Sequence, residues 1–407
     1  MTTTTLGAGT LDWNSEGLVL SKEQKLFYEK NGYIVIRNCV PQYELERFKN
    51  RFREICEKKD VPAEMTVMRD ITIAKSEFKQ GEKAITKVQD FNGDPVLFDY
   101  CKYPTIIDIV KDLIGNQNSS LMSMHTMLIN KPPDNGKLTS RHPMHQDLQY
   151  FNFRPADFIC CAWTAMERIN RANGCLVVVP GTHKDPGVLL PHEYPKWEGG
   201  VNKAYHGIQN YDPSMPRLHV EMEAGDTVFF HPLLIHGSGT NRTDGFRKAI
   251  SCHYANDDLC KYVDISGTAQ EFTQDEILEI ARKRIVKLGM NPDEVKIDFA
   301  DVWRGRARPI NGKRSLDLVV VISDVSGDVD READGHEQGG HRDWVHSHIP
   351  QRQETEHLQD KKMMLRKRLN IAAEIETGSG TKMMKDSPMQ ITSLMAVCQI
   401  IDCMSFD

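Results

Sequence analysis

The fold is decided by a stretch that reads Gly225-Asp-Thr-Val-Phe-Phe-His-Pro-Leu-Leu-Ile-His-Gly-Ser-Gly239. Its apolar run follows a Gly-Asp turn pattern and ends at a second glycine-rich turn. A short apolar run between turns, rich in β-branched and aromatic residues, is typical of a buried strand. We therefore interpret residues 228–235 as a strand in a region built of β-structure.

Five similar runs lie between about residues 120 and 255. They have a period of two or are short and apolar throughout, and Gly and Pro residues separate them. Short strands joined by turns fit a mainly β fold with flanking helices, whose core is a double-stranded β-helix (a jelly-roll, cupin-like barrel). The five runs are Met122–Ile129, Phe158–Met166, Cys175–Val179, Leu218–Met222 and Ala249–Tyr254.

Two helices are predicted before the β region. The first begins at the capping-box pattern Ser21-Lys-Glu-Gln24, ends at Gly32 and is followed by a strand, Tyr33-Ile-Val-Ile36. The second follows Pro41, and its apolar residues recur at spacings of three and four, which places them on one face. These residues are Leu45, Phe48, Phe52 and Ile55.

A third helix is predicted after the β region, which would then have helices on both sides in the sequence. It begins at a second capping-box pattern, Thr273-Gln-Asp-Glu276, and stops at Gly289. The side chains expected to point inward are those of Ile277, Ile280, Ile285 and Leu288.

We expect the chain to divide into three segments. Residues 1–16 are small and polar and are expected to be disordered. Residues 17–316 form the folded domain. Residues 317–407 form a C-terminal extension of low order and unknown role, because residues 325–358 are rich in Gly, Asp, Glu, His and Gln and show no core-building periodicity.

Composition excludes several classes of function. The 407 residues carry a net charge of −6, with 57 acidic and 51 basic residues, so no general basic surface for nucleic acid is expected. The start lacks the pattern of a secretory signal, and no stretch is apolar enough to span a bilayer. The 10 cysteines are scattered without a C-x-x-C pair, which indicates a reducing intracellular compartment.

A candidate iron site is spread over three parts of the β region. His145 and Asp147 are two residues apart, so on a strand they would point to the same face, and His236 supplies a second imidazole. Two histidines and one carboxylate form the facial triad of non-haem iron(II) oxygenases, which leaves coordination positions open. Arg247 follows eleven residues after His236, and we expect it on the neighbouring strand, where its guanidinium can bind a carboxylate of 2-oxoglutarate.

The pattern His-x-Asp is weak by itself, and it occurs three times. His183 and Asp185 follow a Pro-Gly turn and precede a proline, so they are interpreted as a loop. His341 and Asp343 lie in the low-complexity extension. Only His145 is followed by several strands, a distal histidine and an arginine.

Other polar or aromatic residues of the region have ordinary structural interpretations from the residues alone. Histidines in a β region are more often hydrogen-bonded core or rim residues than ligands, and we leave these outside the site: His125, His142, His231 and His253. By itself, Trp163 is interpreted as a core aromatic, Ser238 as a turn residue and Lys87 as a surface lysine.

The stretch Ser140-Arg-His-Pro-Met-His-Gln-Asp147 is similar to the phytanoyl-CoA dioxygenase family. The resemblance runs from near Leu18 to near Leu316 and is too long and specific to arise by chance. The other segments that carry it are Thr66–Asp70, Ile85–Phe91, Met124–Asp134, Cys161–Glu167, Asn173–Lys184, Tyr194–Lys203, Gly225–Gly239 and Gly245–His253.

The resemblance implies an iron(II)- and 2-oxoglutarate-dependent dioxygenase domain in residues 17–316. It implies iron at His145, Asp147 and His236, and it gives 2-oxoglutarate contacts that include residues with an ordinary interpretation above. The implied 2-oxoglutarate contacts are Lys87, Met127, His145, Asp147, Trp163, Ser238 and Arg247.

The implied reaction is 2-hydroxylation of a 3-methyl-branched fatty acyl-CoA, phytanoyl-CoA to 2-hydroxyphytanoyl-CoA, as the first step of fatty-acid α-oxidation. Dioxygen is the second substrate, and ascorbate serves as the reductant. Residues 1–20 contain no peroxisomal signal of the amino-terminal type, and the end of the chain is not Ser-Lys-Leu. A peroxisomal location is therefore implied only by the resemblance, and the cytosol is the alternative.

Two other functions stay open. The same scaffold and chemistry could act on a different small substrate, because a fold and a cofactor do not fix the substrate. A non-catalytic, cupin-like metal-binding protein is the other alternative, because imidazole and carboxylate also suit zinc. Arg247 speaks against it, since a purely structural metal site does not need a carboxylate-binding arginine.

Overall fold

The computed structural model describes residues 11–62, 64–69, 81–134, 140–196, 205–287, 291–293, 295 and 297–311. The α-helices in these ranges are α1 (Lys22–Asn31), α2 (Gln42–Cys56), α3 (Phe98–Cys101), α4 (Pro104–Ile114), α5 (Glu271–Lys287) and α6 (Phe299–Arg306). The strands are β1 (Tyr33–Ile36), β2 (Thr66–Met68), β3 (Lys87–Gln89), β4 (Leu121–Lys131), β5 (His142–His145), β6 (Phe153–Arg154), β7 (Ile159–Ala165), β8 (Leu176–Val178), β9 (His192–Glu193), β10 (Gly207–Ile208), β11 (Leu218–Val220), β12 (Thr227–Phe230), β13 (His236–Ser238), β14 (Arg247–Asn256), β15 (Lys261–Tyr262) and β16 (Arg308–Asn311).

Two antiparallel sheets form the double-stranded β-helix that the sequence predicts. The larger sheet has the strand order β1-β12-β7-β14-β4-β3-β2, with β16 also paired to β4, and the smaller has the order β11-β8-β13-β5. The chain passes repeatedly from one sheet to the other, as at β4 to β5 and β13 to β14. One buried cluster joins the two inner faces, since it contains Trp163 and Ala249 of the larger sheet and Val178 and Val220 of the smaller.

Helices cover the outer face of the larger sheet. Phe48 and Phe52 of α2 and Ile109 of α4 pack in one cluster with Leu128 of β4 and Ile250 of β14. The central strands of this sheet are therefore buried on both faces. That burial explains why β7 and β12 are nearly continuous apolar runs rather than alternating ones.

The first two predicted helices are confirmed. α1 has the predicted capping box at Ser21, and Gly32 ends it in the left-handed conformation with φ 77°. In α2, the predicted apolar face is buried, because Leu45, Phe48, Phe52 and Ile55 are all core residues.

The start predicted for the third helix is wrong. α5 begins at Glu271, two residues before the proposed cap at Thr273. The Thr273 side chain is buried and its Oγ1 accepts a hydrogen bond from Gln149 Nε2, so it does not cap the helix. Residues 288 and 289 and the side chains of residues 280 and 285 lie outside the described part.

Residues 11–16 belong to the segment predicted to be disordered, and Trp13 of this segment packs against Tyr28 with ring centroids 6.0 Å apart. The disorder of residues 1–16 stays a prediction. The backbone N–H groups of Leu18 and Leu20 donate to the carboxylate of Asp112. Residues 1–10 and the extension 317–407, with its His341-x-Asp343 pattern, lie outside the described residues. The boundary at residue 316 stays a prediction.

Two further features concern only the described residues. No helix among them is both long and apolar enough to cross a bilayer. Their eight cysteines are all free and buried.

Candidate active site

Two histidines and an aspartate meet where β5 and β13 pair. His145 ends β5, His236 begins β13, and the two residues are register partners with ring centroids 4.2 Å apart. Asp147 Oδ1 lies 3.2 Å from His145 Nε2 and 3.6 Å from His236 Nε2. All three side chains are buried, and one ligand atom from each lies within 4.8 Å of the others.

The local structure differs from the sequence interpretation in two ways. Asp147 is not on a strand but begins a 3-10 turn, Asp147–Tyr150, and this turn brings its carboxylate back beside His145. His236 begins a strand rather than preceding a turn directly, since the glycine-rich segment after it forms β13. The spacing thus selected three residues that the structure brings together, although the reason given for it holds only in part.

Hydrogen bonds fix the orientation of both imidazole rings. The Nδ1 atoms of His145 and His236 donate to the carbonyl oxygens of Pro143 and Leu234, each over 2.9 Å. In a neutral ring the proton is then on Nδ1, so the Nε2 lone pair faces the aspartate. Burial, together with His145, lowers the pKa of His236 to about 4, which keeps its ring neutral at pH 7.

The donor set fits a divalent cation such as iron(II). Burial alone would raise the pKa of Asp147, but the imidazoles of His236 and His253 hold it well below its usual range, so the carboxylate is ionised. The Nε2 lone pairs of His145 and His236 and Oδ1 of Asp147 point toward one buried position, and no proton lies between them. A bound cation turns this repulsion into three ligand bonds.

His253, which the sequence analysis left outside the site, contacts the aspartate directly. Its Nε2 lies 2.8 Å from Asp147 Oδ2, whereas His145 and His236 approach the other carboxylate oxygen, Oδ1. Its ring stacks on His125 with centroids 5.7 Å apart. A signal was available, because His253 and Arg247 are six residues apart on one strand and an even spacing places them on the same face.

The other histidines left outside the site divide into two groups. His142 stacks on His145 with ring centroids 4.1 Å apart, and His125 lies behind His253. His231 is buried away from these rings, and its Nε2 lies 3.1 Å from Asp157 Oδ1. His183, of the second His-x-Asp pattern, lies in a loop against the carbonyl of Glu29.

Arg247 reaches the site from the opposite sheet. It begins β14, which pairs with β4 and β7 rather than with β13, so the expectation of a neighbouring strand is wrong. The side chain is buried, its guanidinium carbon lies 5.3 Å from the ring centroid of Trp163, and Nη2 donates to the carbonyl of Gly174 over 2.6 Å. Nε and Nη1 have no partner among the described residues. Burial lowers the pKa of Arg247 to about 10, so it keeps its charge at pH 7.

Lys131 is a second buried basic side chain that sequence reasoning missed. It is the register partner of Arg247, and its Nζ donates to Ser238 Oγ over 2.8 Å and to the carbonyl of Gly239 over 2.6 Å. Burial and the charge of Arg247 lower its pKa well below the usual value. Its even spacing from Met127 on β4 was the signal that could have found it.

One cavity of about 630 Å³ is lined by every residue predicted from the sequence to belong to the site. The set consists of Lys87, Met127, His145, Asp147, Trp163, His236, Ser238 and Arg247. Among the described residues that line this cavity, Asp147 is the only acid, and three side chains are Lys or Arg. A cavity with this charge balance favours an anionic ligand once a cation has neutralised the aspartate.

Family and sequence comparisons agree with one another. The family model described as phytanoyl-CoA dioxygenase matches residues 28–249. A relative named "Probable phytanoyl-CoA dioxygenase" from Caenorhabditis elegans is 75% identical over 311 residues, which cover 76% of this chain and 99% of the relative. "Phytanoyl-CoA dioxygenase, peroxisomal" from Homo sapiens is 57% identical over 306 residues, with 75% and 86% covered.

Similar solved structures are more distant. The epimerase SnoN, in complex with Fe3+, alpha ketoglutarate and nogalamycin RO, is 19% identical with a TM-score of 0.47, over 62% of this chain and 89% of that one. EctD from S. alaskensis, with 2-oxoglutarate and 5-hydroxyectoine, is 15% identical with a TM-score of 0.43, over 59% and 77%.

Proposed function

This chain belongs to the phytanoyl-CoA dioxygenase family, and on that premise we propose that it hydroxylates the carbon next to the thioester of a 3-methyl-branched fatty acyl-CoA. The proposed reaction converts phytanoyl-CoA to 2-hydroxyphytanoyl-CoA, the first step of fatty-acid α-oxidation. It uses dioxygen and 2-oxoglutarate, with iron(II) held by His145, Asp147 and His236. Ascorbate would keep the iron reduced.

The observation that carries the proposal is the pair of unpartnered donors on Arg247. Nε and Nη1 of a buried guanidinium lie in the same cavity as the triad and have no acceptor among the described residues. A buried donor without an acceptor costs about 1–3 kcal/mol, so such a group needs a ligand. A carboxylate fits both donors at once, and this favours an oxygenase over a non-catalytic metal-binding protein.

The other side chains of the cavity complete a site for a dicarboxylate. Lys131 has no acceptor atom, so Ser238 Oγ accepts its hydrogen bond and the Ser238 hydroxyl hydrogen is free to point at the far carboxylate of 2-oxoglutarate. Lys87 adds positive charge, while Met127 and Trp163 form apolar walls. When bound, iron and the 2-oxo acid supply the oxidising chemistry, and this chain supplies orientation and exclusion of water.

A second cavity, of about 930 Å³, adjoins the first and also contains Asp147 and His253. Most of its wall is apolar, although Lys87, Asp147, Glu276 and Arg306 also line it. The apolar wall residues are Met68, Met127, Tyr150, Phe151, Ile277 and Trp303. These walls suit a branched alkyl chain whose thioester end approaches the iron site. The same chemistry on another apolar substrate is the alternative.

We propose a peroxisomal location, as for the relatives from Homo sapiens and Rattus norvegicus, which are named peroxisomal. Imaging of the full chain with a peroxisomal marker tests this. A diffuse cytosolic distribution would contradict it.

The test of the reaction is release of carbon dioxide from 2-oxoglutarate labelled at its first carbon, with iron(II), ascorbate and phytanoyl-CoA. His145→Ala removes an iron ligand and should abolish release. Arg247→Ala should raise the KM for 2-oxoglutarate at least about tenfold, because it removes charged hydrogen bonds each worth roughly 1.5–3 kcal/mol. His219→Ala, an exposed histidine on β11, is the control and should match the wild type.

Free phytanic acid in place of the CoA ester separates the two substrate hypotheses. We expect substrate-dependent release with the thioester and little with the acid. Equal release with both would favour another substrate, and full activity in His145→Ala would overturn the site assignment.

A further inference from the structure

A thiol faces the candidate iron site, and the proposed reaction does not use it. Cys161 lies on β7 directly opposite His253 of β14 in the antiparallel register, so the two side chains leave the sheet on the same face. Cys161 Sγ, a ring nitrogen of His253 and a carboxylate oxygen of Asp147 all lie within 4.8 Å of one another. All three side chains are buried and line the same 630 Å³ cavity.

Cys160, the neighbouring cysteine on β7, does not face the candidate iron site. Cys160 points to the other face of β7 and packs in the cluster beneath the helices, as a small buried hydrophobic residue does. Cys161, one residue further along, also packs among apolar side chains such as Trp163 and Phe230, but its sulfur faces a carboxylate and an imidazole. It therefore completes a set of sulfur, nitrogen and oxygen ligands.

We propose that Asp147, Cys161 and His253 form a second metal site, which overlaps the iron site through Asp147 and takes soft divalent cations such as Cd²⁺ and Zn²⁺. A thiolate, an imidazole and a carboxylate are ligands that zinc accepts in tetrahedral sites, with water in the fourth position. The iron triad offers only nitrogen and oxygen, so the sulfur makes the second site selective for thiophilic cations. The larger cavity, which also contains Asp147 and His253, gives a cation a route to the site.

Binding requires a transfer of protons but no oxidation. The cation displaces the proton of the Cys161 thiol, which is released to solvent, and a metal–sulfur bond forms. When Nε2 of His253 binds the cation, the proton on Nε2 is transferred to Nδ1. Asp147 Oδ2 exchanges its hydrogen bond from His253 for a bond to the metal.

The overlap has a functional consequence. Two divalent cations that share one carboxylate repel each other, so a soft cation at Asp147 Oδ2 lowers the affinity of Oδ1, His145 and His236 for iron. Soft cations would then inhibit the enzyme through Cys161 as well as by direct replacement of iron.

The experiment is a titration of the metal-free full-length protein with cadmium chloride, followed by the ultraviolet charge-transfer absorption of the cadmium–thiolate bond. We expect a band in the wild type and in the matched control Cys160→Ala, and loss of that band in Cys161→Ala. His253→Gln should weaken cadmium binding at least about tenfold, equivalent to 1.4 kcal/mol. Circular dichroism checks that each variant is folded, and Cys161→Ser serves if Cys161→Ala is not.

The readout needs neither iron nor substrate, so it is independent of the proposed reaction. A wild-type protein without the band would overturn the second site. A band of equal size and midpoint in Cys161→Ala would do the same, because another cysteine would then be the ligand.

Discussion

At the residue scale, His253 holds the aspartate of the candidate iron site. It approaches Asp147 Oδ2, which leaves Oδ1 directed toward His145 and His236. Groups that hydrogen-bond to a metal-ligating carboxylate fix its orientation, and their loss typically costs about 10–100-fold in metal affinity. His253→Ala should therefore weaken iron(II) binding by about that factor, as measured by titration of the metal-free protein.

The variant His253→Gln distinguishes a role of His253 in orienting Asp147 from a role in packing alone. His253→Gln keeps an N–H donor near Asp147 and should recover most of the iron affinity, while both variants lose the stacking on His125. His219→Ala is the surface control. An alanine variant that binds iron as tightly as the wild type would contradict this role.

Residue spacing predicted part of this site, and the missing part has a physical cause. His145, Asp147, His236 and Arg247 were found because their spacing and side-chain chemistry suit iron and a 2-oxo acid. Lys131 and His253 were missed because the faces of β4 and β14 cannot be distinguished when both are buried. Once Arg247 marks the inner face, alternation assigns His253 to it.

At the element scale, β13 has no room for a side chain between His236 and Ser238. A Cβ added to Gly237 would lie 2.9 Å from the carbonyl oxygens of His142 and Pro143 on the neighbouring strand β5. We expect Gly237→Ala to lower the free energy of unfolding by about 1–3 kcal/mol, as overpacking usually does. Because β5 and β13 carry His145 and His236, iron affinity should fall as well.

Gly239→Ala is the matched control, because no atom of the described residues lies within 4 Å of a Cβ at Gly239. Urea unfolding and iron titration of both variants test this prediction. Equal stability of the two variants would show that the strands β5 and β13 can separate without loss.

Element boundaries were harder to predict than element types. Thr273-Gln-Asp-Glu276 matches a capping box, but tertiary structure engages Thr273 through Gln149 and the helix begins earlier. Asp147 was placed on a strand, yet the strand ends at His145. In both places a contact distant in sequence decides where the regular structure starts or stops.

The short strand β9 makes the site sensitive to acid. His192 Nε2 accepts a hydrogen bond from the backbone N–H of Gln146, between two of the iron ligands, and its Nδ1 donates to the carbonyl of Leu190. Burial lowers the pKa of His192 to about 3. An unfolded histidine titrates near pH 6.5, so between about pH 6.5 and pH 3 the unfolded chain binds the extra proton and the folded state loses stability as the pH falls.

The variant His192→Gln keeps an acceptor for the Gln146 N–H but does not titrate. From pH 7 to pH 5 the wild type should lose about 2 kcal/mol more of its free energy of unfolding than this variant does. Urea unfolding of the metal-free proteins at the two pH values measures the difference. The same loss in both proteins would mean that His192 is not held neutral.

At the scale of the whole molecule, the two sheets bring together residues that are distant in the sequence. β4, β7 and β14 of the larger sheet contribute Met127, Trp163 and Arg247, and β5 and β13 of the smaller sheet contribute His145 and His236, the two histidines of the candidate iron site. The sequence predicted this fold class because the apolar runs, turns and helical faces all agree. It did not predict which strands pair, since β14 lies between β4 and β7 although both precede it by more than 80 residues.

The described elements that build the site end at Asn311, and this sets where the chain can be shortened. β16 pairs with β4, the strand of Met127 and Lys131, and Trp303 of α6 is buried in the wall of the larger cavity. A variant that ends at residue 316 keeps every described element, so we expect it to retain the free energy of unfolding, within about 0.5 kcal/mol, and carbon dioxide release. The Caenorhabditis elegans relative supports this, since 76% of this chain covers 99% of that protein.

The matched control ends at residue 297 and lacks α6 and β16. Its loss of buried Phe299 and Trp303 alone should cost more than about 3 kcal/mol, the lower end for removal of one large aromatic side chain from a core. Urea unfolding and the decarboxylation assay compare the two variants with the full chain. If the variant ending at 316 is as stable as the full chain but inactive, residues 317–407 take part in the reaction and the site is larger than the cavity between the two sheets.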